Sequence, residues 1–354
     1  MQIKILSAPR IICQNKEGIH NYFGWPSVAR LQDGSLAMVA SGFRIDHVCP
    51  FGKVVLCRSF DEGESWSAPE IVIDTPLDDR DGGIVPFGEK GVIVTSFNNT
   101  PAFQRAAHPD DPYIHSYLDR VEKNPDHQKL LGSTFVLSTD GGRTFGEVRL
   151  APVTAPHGPA ALADGTLLYV GRFFDGHYDG EEGCHLGSVK LYPDGSSEVI
   201  GVIPDVDPAL LSCEPHAIEL PDGRILVHIR IERGGYFSTY QSESFDGGRT
   251  FTFPHALLPM RGGAPAHLLY HSSGVLLSVY GYREEPYGIR LMASRDLGES
   301  WETGITLTDS YPNGDLGYPS TAELSDGSLL TVYYAHETPA SPAVIMQIKW
   351  RIED

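Results

Sequence analysis

The sequence predicts an all-β chain folded as a six-bladed β-propeller of four-stranded antiparallel blades. Two interleaved repeats carry that prediction, and the chain ends supply a third observation. The first repeat is Ser-x-Asp-x-Gly-x-[Ser/Thr]-[Trp/Phe], at Ser59–Trp66, Ser138–Phe145, Ser244–Phe251 and Ser294–Trp301. The second is an apolar strand, a tight turn and another apolar strand, repeated with turn glycines Gly34, Gly91, Gly165, Gly223, Gly274 and Gly327. Asp-Gly between apolar runs is a strong hairpin signal. Together the repeats give four strands at a period of roughly fifty residues, which is one propeller blade. Too little chain follows Gly327 to complete a last blade. Gln2–Leu6 or Arg10–Cys13 is therefore expected to pair with Val344–Trp350, closing the ring and removing exposed edges.

Taken in order, blade one holds the hairpin Pro26–Gly34 and the box at Ser59–Trp66. Blade two holds Gly83–Gly91 and the box at Ser138–Phe145, with an insertion at about residues 101–131 between them. Ile114–Lys123 is the best helix candidate in that insertion, expected as a surface helix or as a lid carrying His115 or Tyr117. Blade three holds Pro159–Gly165 and, in phase with the boxes, Leu191-Tyr-Pro-Asp-Gly195, expected to be a degenerate copy. Blades four and five pair Pro215–Gly223 with Ser244–Phe251 and Pro265–Gly274 with Ser294–Trp301, and blade six begins at Pro319–Gly327. Residues 1–354 are thus expected to form a single domain. In each box the Asp accepts backbone N–H groups of the turn and the Gly takes positive φ.

Composition narrows the partners. With 27 Lys and Arg against 46 Asp and Glu, the formal charge is −19, which disfavours nucleic acid or an anionic membrane. No run is apolar for long enough to span a bilayer, and the first residues carry no signal-peptide core. Five scattered cysteines with no CxxC pair read as reduced thiols of a cytoplasmic protein. Such a protein would meet small or imported glycans rather than extracellular polymers; the resemblance drawn below implies a small acidic glycoside or oligosaccharide, with no cofactor. The oligomeric state stays open.

In a propeller, the starts of the inner strands and the ends of the second strands converge on one mouth. The starts are Gly24-Trp25, Arg80-Asp81, His157, Glu214 to His216, His267 and Tyr318; the ends include Arg44 to His47, Asn98-Asn99, Arg172, Arg230, Arg283 and His336-Glu337. That ring is rich in groups for acid–base work and anion binding. The histidines form no local ligand motif such as HExxH, so no metal site is expected.

The boxes resemble the Asp-box of the sialidase (neuraminidase) superfamily, whose members are six-bladed propellers. Cys213-Glu-Pro-His followed one hairpin later by His228-Ile-Arg230 resembles the segment with the catalytic Glu and a substrate-binding arginine. Asp315-Leu-Gly-Tyr-Pro-Ser320 is similar to the segment that supplies a nucleophilic tyrosine. The resemblance implies an exo-acting, retaining glycosidase for a terminal acidic sugar. It makes Tyr318 the nucleophile, Glu214 its base, Asp46 the acid/base with His47 as alternative, and Arg230 with Arg283 the carboxylate clamp. Arg290 is the rival to Arg283. Arg44, His47, His157, His216 and His267 are expected to contact substrate. A tyrosine suits this substrate class, because a carboxylate nucleophile would be repelled by the sugar's own carboxylate. The chain departs from the family in blade one, where Phe23-Gly-Trp-Pro26 stands in place of Arg-Ile-Pro. Arg44, Arg80 or Arg172 would then compensate, or the substrate would differ from a standard sialic acid. The alternatives are a propeller lyase using His and Tyr for β-elimination at a uronate, and a non-catalytic glycan-binding propeller.

Overall fold

Six antiparallel sheets make the six blades in sequence order. The structure is a computed structural model that describes residues 1–174 and 184–353. Blade one is built from Tyr22–Arg30, Leu36–Arg44, Lys53–Ser59 and Glu70–Ile73, from the axis outward. Blade six is Gly317–Glu323, Leu329–His336 and Ala343–Glu353. Both N-terminal segments complete it: Ile5 pairs with Trp350 and Arg10 with Gln347. One strand was expected there; the last strand is long enough to take both end to end.

The core lies between blade faces. Val39, Val54 and Leu56 of blade one meet Ile84, Val92 and Val94 of blade two, and Tyr22, Trp25 and Met38 meet Tyr318, Val332 and Tyr334 of blade six. The boxes sit between third and fourth strands. In each, the Ser hydroxyl donates to the Asp (2.8 Å in Ser59–Asp61), and that oxygen in turn accepts the Gly N–H two residues beyond the Asp (Gly63, 2.8 Å). The box tryptophans reach the preceding blade: Trp66 Nε1 donates to Gln347 at 2.7 Å and Trp301 Nε1 to Gln241 at 2.9 Å. Blade three departs from this. Leu191–Gly195 occupies the box position but folds as the short hairpin turn, with Gly195 N–H donating to Tyr192 O and Ser196 N–H to Asp194.

The insertion forms helices Pro101–Ala107, Pro112–Glu122 and Pro125–Gln128, the first two capped by Thr100 and Asp111. They brace the loop after the second strand of blade one. His108 Nε2 donates to Val48 O at 2.5 Å, Gln104 donates to Asp78 at 2.7 Å, and Phe51 packs on Tyr113 and Tyr117. His115 and Tyr117 donate to the carbonyls of His108 and Pro76. Tyr117 and Tyr113 also line a pocket of about 460 Å³ with Phe51 and Lys53 beside blade one, so the contacts of these helices are those of a buttress on blade one.

Candidate active site

Four inner strands carry the same irregularity. Trp25, Asp81, Glu214 and Tyr318 have φ of 53°, 50°, 49° and 47°, and strand register breaks at each. Each is followed by Pro or Gly. Positive φ is costly for a residue with a Cβ and persists where the surroundings impose it, often at functional sites. The bulges bring these four side chains together at one end of the inner strands.

Tyr318 and Glu214 meet there. The Tyr318 hydroxyl donates to Glu214 Oε1 at 2.6 Å. Arg230 Nη1 donates to Glu214 Oε2 at 2.6 Å and to Tyr318 Oη at 3.1 Å, while its Nη2 donates to Glu232 at 2.5 Å. Burial and the Glu214 charge push the Tyr318 phenol well above its ordinary pKa of 10. It is therefore neutral until Glu214 takes its proton. Arg283 lies over the Tyr318 ring at 5.4 Å and donates to Leu316 O at 3.0 Å. Arg290 stacks instead on Tyr282, so of these two rivals it is Arg283 that joins Arg230 beside Tyr318. Phe237 underlies both Arg230 (4.3 Å) and Arg283 (5.2 Å).

Asp315 is the second hub. It accepts from His47 Nδ1 (2.9 Å), Tyr334 (3.0 Å), Tyr22 (2.9 Å) and His336 Nε2 (2.9 Å). Burial alone would raise its pKa, but the His336 and His47 hydrogen bonds win and hold it far below the usual carboxylate range. His336 also donates from Nδ1 to Ser341 O at 2.6 Å. Both ring nitrogens are donors, so this imidazole is cationic, and its pKa is raised by the bond to Asp315. Sequence reasoning quoted Asp315 only as a neighbour of Tyr318.

The remaining expected site residues are placed as follows. Asp46 is exposed, and its carboxylate accepts the His47 N–H at 2.6 Å. Arg44 does not reach the mouth. It is fully buried and spent on Asp78 (2.5 Å), Ser41 (2.9 Å) and the carbonyl of His47 (3.0 Å). His157, His216 and His267 lie one layer beneath the mouth, at the head of a channel of about 390 Å³ that opens on the opposite face. Their ring centroids are 4.5 to 5.5 Å apart. His216 Nδ1 accepts the Leu268 N–H at 2.9 Å and His267 Nδ1 accepts the Thr321 N–H at 3.4 Å. Those two imidazoles then carry their proton on Nε2, which makes them donors rather than metal ligands. These three histidines, expected as substrate contacts, therefore stand in the channel rather than beside Tyr318 and Glu214; His216 follows the register break at Glu214.

Trp25 fills the blade-one position. Its indole is buried and stacks with Arg80 at 4.2 Å and Arg44 at 4.9 Å. Asp81 was named as a strand start without a role. It lines, with Glu214, a pocket of about 210 Å³ walled by Phe97, Asn99, Pro156, Arg172 and Phe173. Burial lifts its carboxyl to about 7. Its signal in the sequence was the Pro-or-Gly that follows it, shared with Glu214 and Tyr318.

Comparison with known proteins agrees with this architecture. The BNR repeat-like domain model matches residues 53–331. A Dyadobacter fermentans protein of unknown function superposes with a TM-score of 0.78 at 19% identity, covering 99% of both chains. The NanB sialidase from Streptococcus pneumoniae gives 0.67 at 13% identity, over 97% of this chain and 70% of that one. The leech intramolecular trans-sialidase gives 0.70 at 11% identity, over 98% and 70%. No curated protein matches by sequence. At these identities the likeness is one of fold.

Proposed function

The chain belongs to the BNR repeat-like domain family, and we propose that its sialidase-like propeller is an exo-acting, retaining glycoside hydrolase for a terminal acidic sugar. The observation that carries this reading is the 2.6 Å hydrogen bond from Tyr318 to Glu214, with Arg230 on both groups. Glu214 takes the phenolic proton as the Tyr318 oxygen attacks the anomeric carbon; the glycosidic C–O bond breaks, an acid on the leaving-group side protonates the departing oxygen, and a glycosyl–tyrosine remains. Arg230 and Arg283 hold the sugar's carboxylate through charge-assisted hydrogen bonds. Water then releases the sugar, and the proton returns from Glu214 to the tyrosine. A neutral nucleophile avoids the repulsion that a carboxylate would meet at such a carbon.

The indole of Trp25, with Arg80 behind it, stands where the family's blade-one arginine is expected, so the clamp proposed here has two arginines rather than three. The buried indole offers a sugar no open face, so carboxylate binding rests on Arg230 and Arg283 in this reading. Trapping tests the reading. A 3-fluoro acidic glycosyl fluoride should add one sugar mass to Tyr318, located by peptide mass spectrometry. Release of an ultraviolet-absorbing unsaturated sugar from a uronide, without trapping, would select β-elimination instead.

A further inference from the structure

The loop after the second strand of blade one holds one side chain with unusual care. The His47 carbonyl accepts from Arg44 Nη2 at 3.0 Å and from Arg80 Nη1 at 3.1 Å. Its N–H donates to Asp46. Its Nδ1 donates to Asp315 at 2.9 Å, because an ionised carboxylate can only accept. Its ring stands edge-on to Trp25 at 5.0 Å, and Tyr318 flanks the same indole at 6.4 Å. The ring is still 41% exposed, and its Nε2 has no partner among the described residues. A carboxylate–imidazole pair with an open Nε2 is the arrangement of a proton-transfer group. Asp46, by contrast, uses its carboxylate on its own loop.

We propose that His47, oriented by Asp315, is the proton-transfer residue on the leaving-group side of the site; this rests on the glycosidase reading above. As the Tyr318 oxygen bonds to the anomeric carbon and the glycosidic C–O bond breaks, imidazolium Nε2–H protonates the departing oxygen. In the second step the neutral Nε2 takes a proton from water, whose oxygen displaces Tyr318. The two steps return His47, Glu214 and Tyr318 to their starting protonation.

The groups facing His47 are Asp315, Tyr22, Arg44, Arg80 and, across Asp315, Tyr334 and His336. Burial, with the Arg80 and Arg44 charges, outweighs Asp315 and lowers the His47 pKa below its ordinary 6.5. The first step uses the imidazolium, so kcat/KM should fall as pH rises through that value, giving an acidic optimum.

The test compares wild type, His47→Ala and Asp46→Asn on an aryl and an alkyl glycoside of one acidic sugar, with and without azide, each first checked for an unchanged melting profile. His47→Ala should lose at least ~100-fold on the alkyl glycoside and much less on the aryl one, whose leaving group needs little protonation. Azide should restore its turnover and yield the glycosyl azide, which a merely structural defect would not. Asp46→Asn should show no leaving-group dependence. If Asp46→Asn carries that dependence and His47→Ala does not, this proposal fails while the Tyr318 reading stands. Folded wild type that turns over neither glycoside overturns both.

Discussion

Tyr318 of blade six donates its phenolic proton to Glu214 of blade four at 2.6 Å, and both residues are held at positive φ on the bulge of an inner strand. The pair joins two segments about a hundred residues apart in the chain. It depends on ring closure, since blade six is completed only by the N-terminal strands. The site and the fold are therefore coupled at this contact.

Replacing Glu214 with Gln keeps the shape of the pair and removes the proton acceptor. Turnover should fall by roughly 10²–10⁴ with a smaller change in KM. Steady-state kinetics on an acidic aryl glycoside check this, with circular dichroism to show the fold intact.

Trp25 ties the mouth together from below, touching Arg80, His47 and Tyr318. Trp25→Ala should destabilise by about 3–5 kcal/mol, measured by urea unfolding, and lower turnover by loosening Arg80 and His47. Trp25→Phe should recover much of both.

The channel histidines should make the protein acid-sensitive. Burial lowers the pKa of His157 and His267 well below 6.5 and that of His216 to about 4. Unfolded histidines bind protons near pH 6.5, so the unfolded state binds more protons between that value and the folded pKa. Stability should fall as pH drops from about 6.5 toward 4, by about 3 kcal/mol for His216 alone. Melting temperature against pH measures the slope, and His216→Gln should flatten it. A slope unchanged in the variant would contradict the assignment.

The boxes should behave oppositely to the site. Asp296 accepts from Ser294, from the Ser300 N–H at 2.9 Å and from the Ser300 hydroxyl at 2.6 Å, which hold its pKa at about 2. Asp296→Ala should lower the melting temperature and leave kcat/KM unchanged.

Local signals made the ring legible in the sequence. A hairpin turn and a box each need only a few adjacent residues, so six hairpins and four boxes could be counted directly. Blade three shows the limit, since phase alone does not distinguish a degenerate box from a second hairpin turn. Tyr318, Glu214, Arg230 and Arg283 were legible because each sits in a short segment with its own pattern. Asp315 was not: its partners Tyr22, His47, Tyr334 and His336 come from three stretches of chain and meet only in the folded ring. Arg44 looks like any strand-end arginine until Asp78 claims it. His216 was expected at the mouth because the register break at Glu214-Pro215 decides which neighbouring side chain turns there, and a regular strand alternation does not foresee it.

The most direct measurement is turnover of a fluorogenic sialoside by wild type and by Tyr318→Phe, side by side. Turnover in the wild type that falls by at least ~10³-fold in the variant, with melting curves superimposed, is the predicted result. Equal turnover by the two proteins, or none by well-folded wild type on this and other acidic glycosides, would contradict a tyrosine-nucleophile glycosidase.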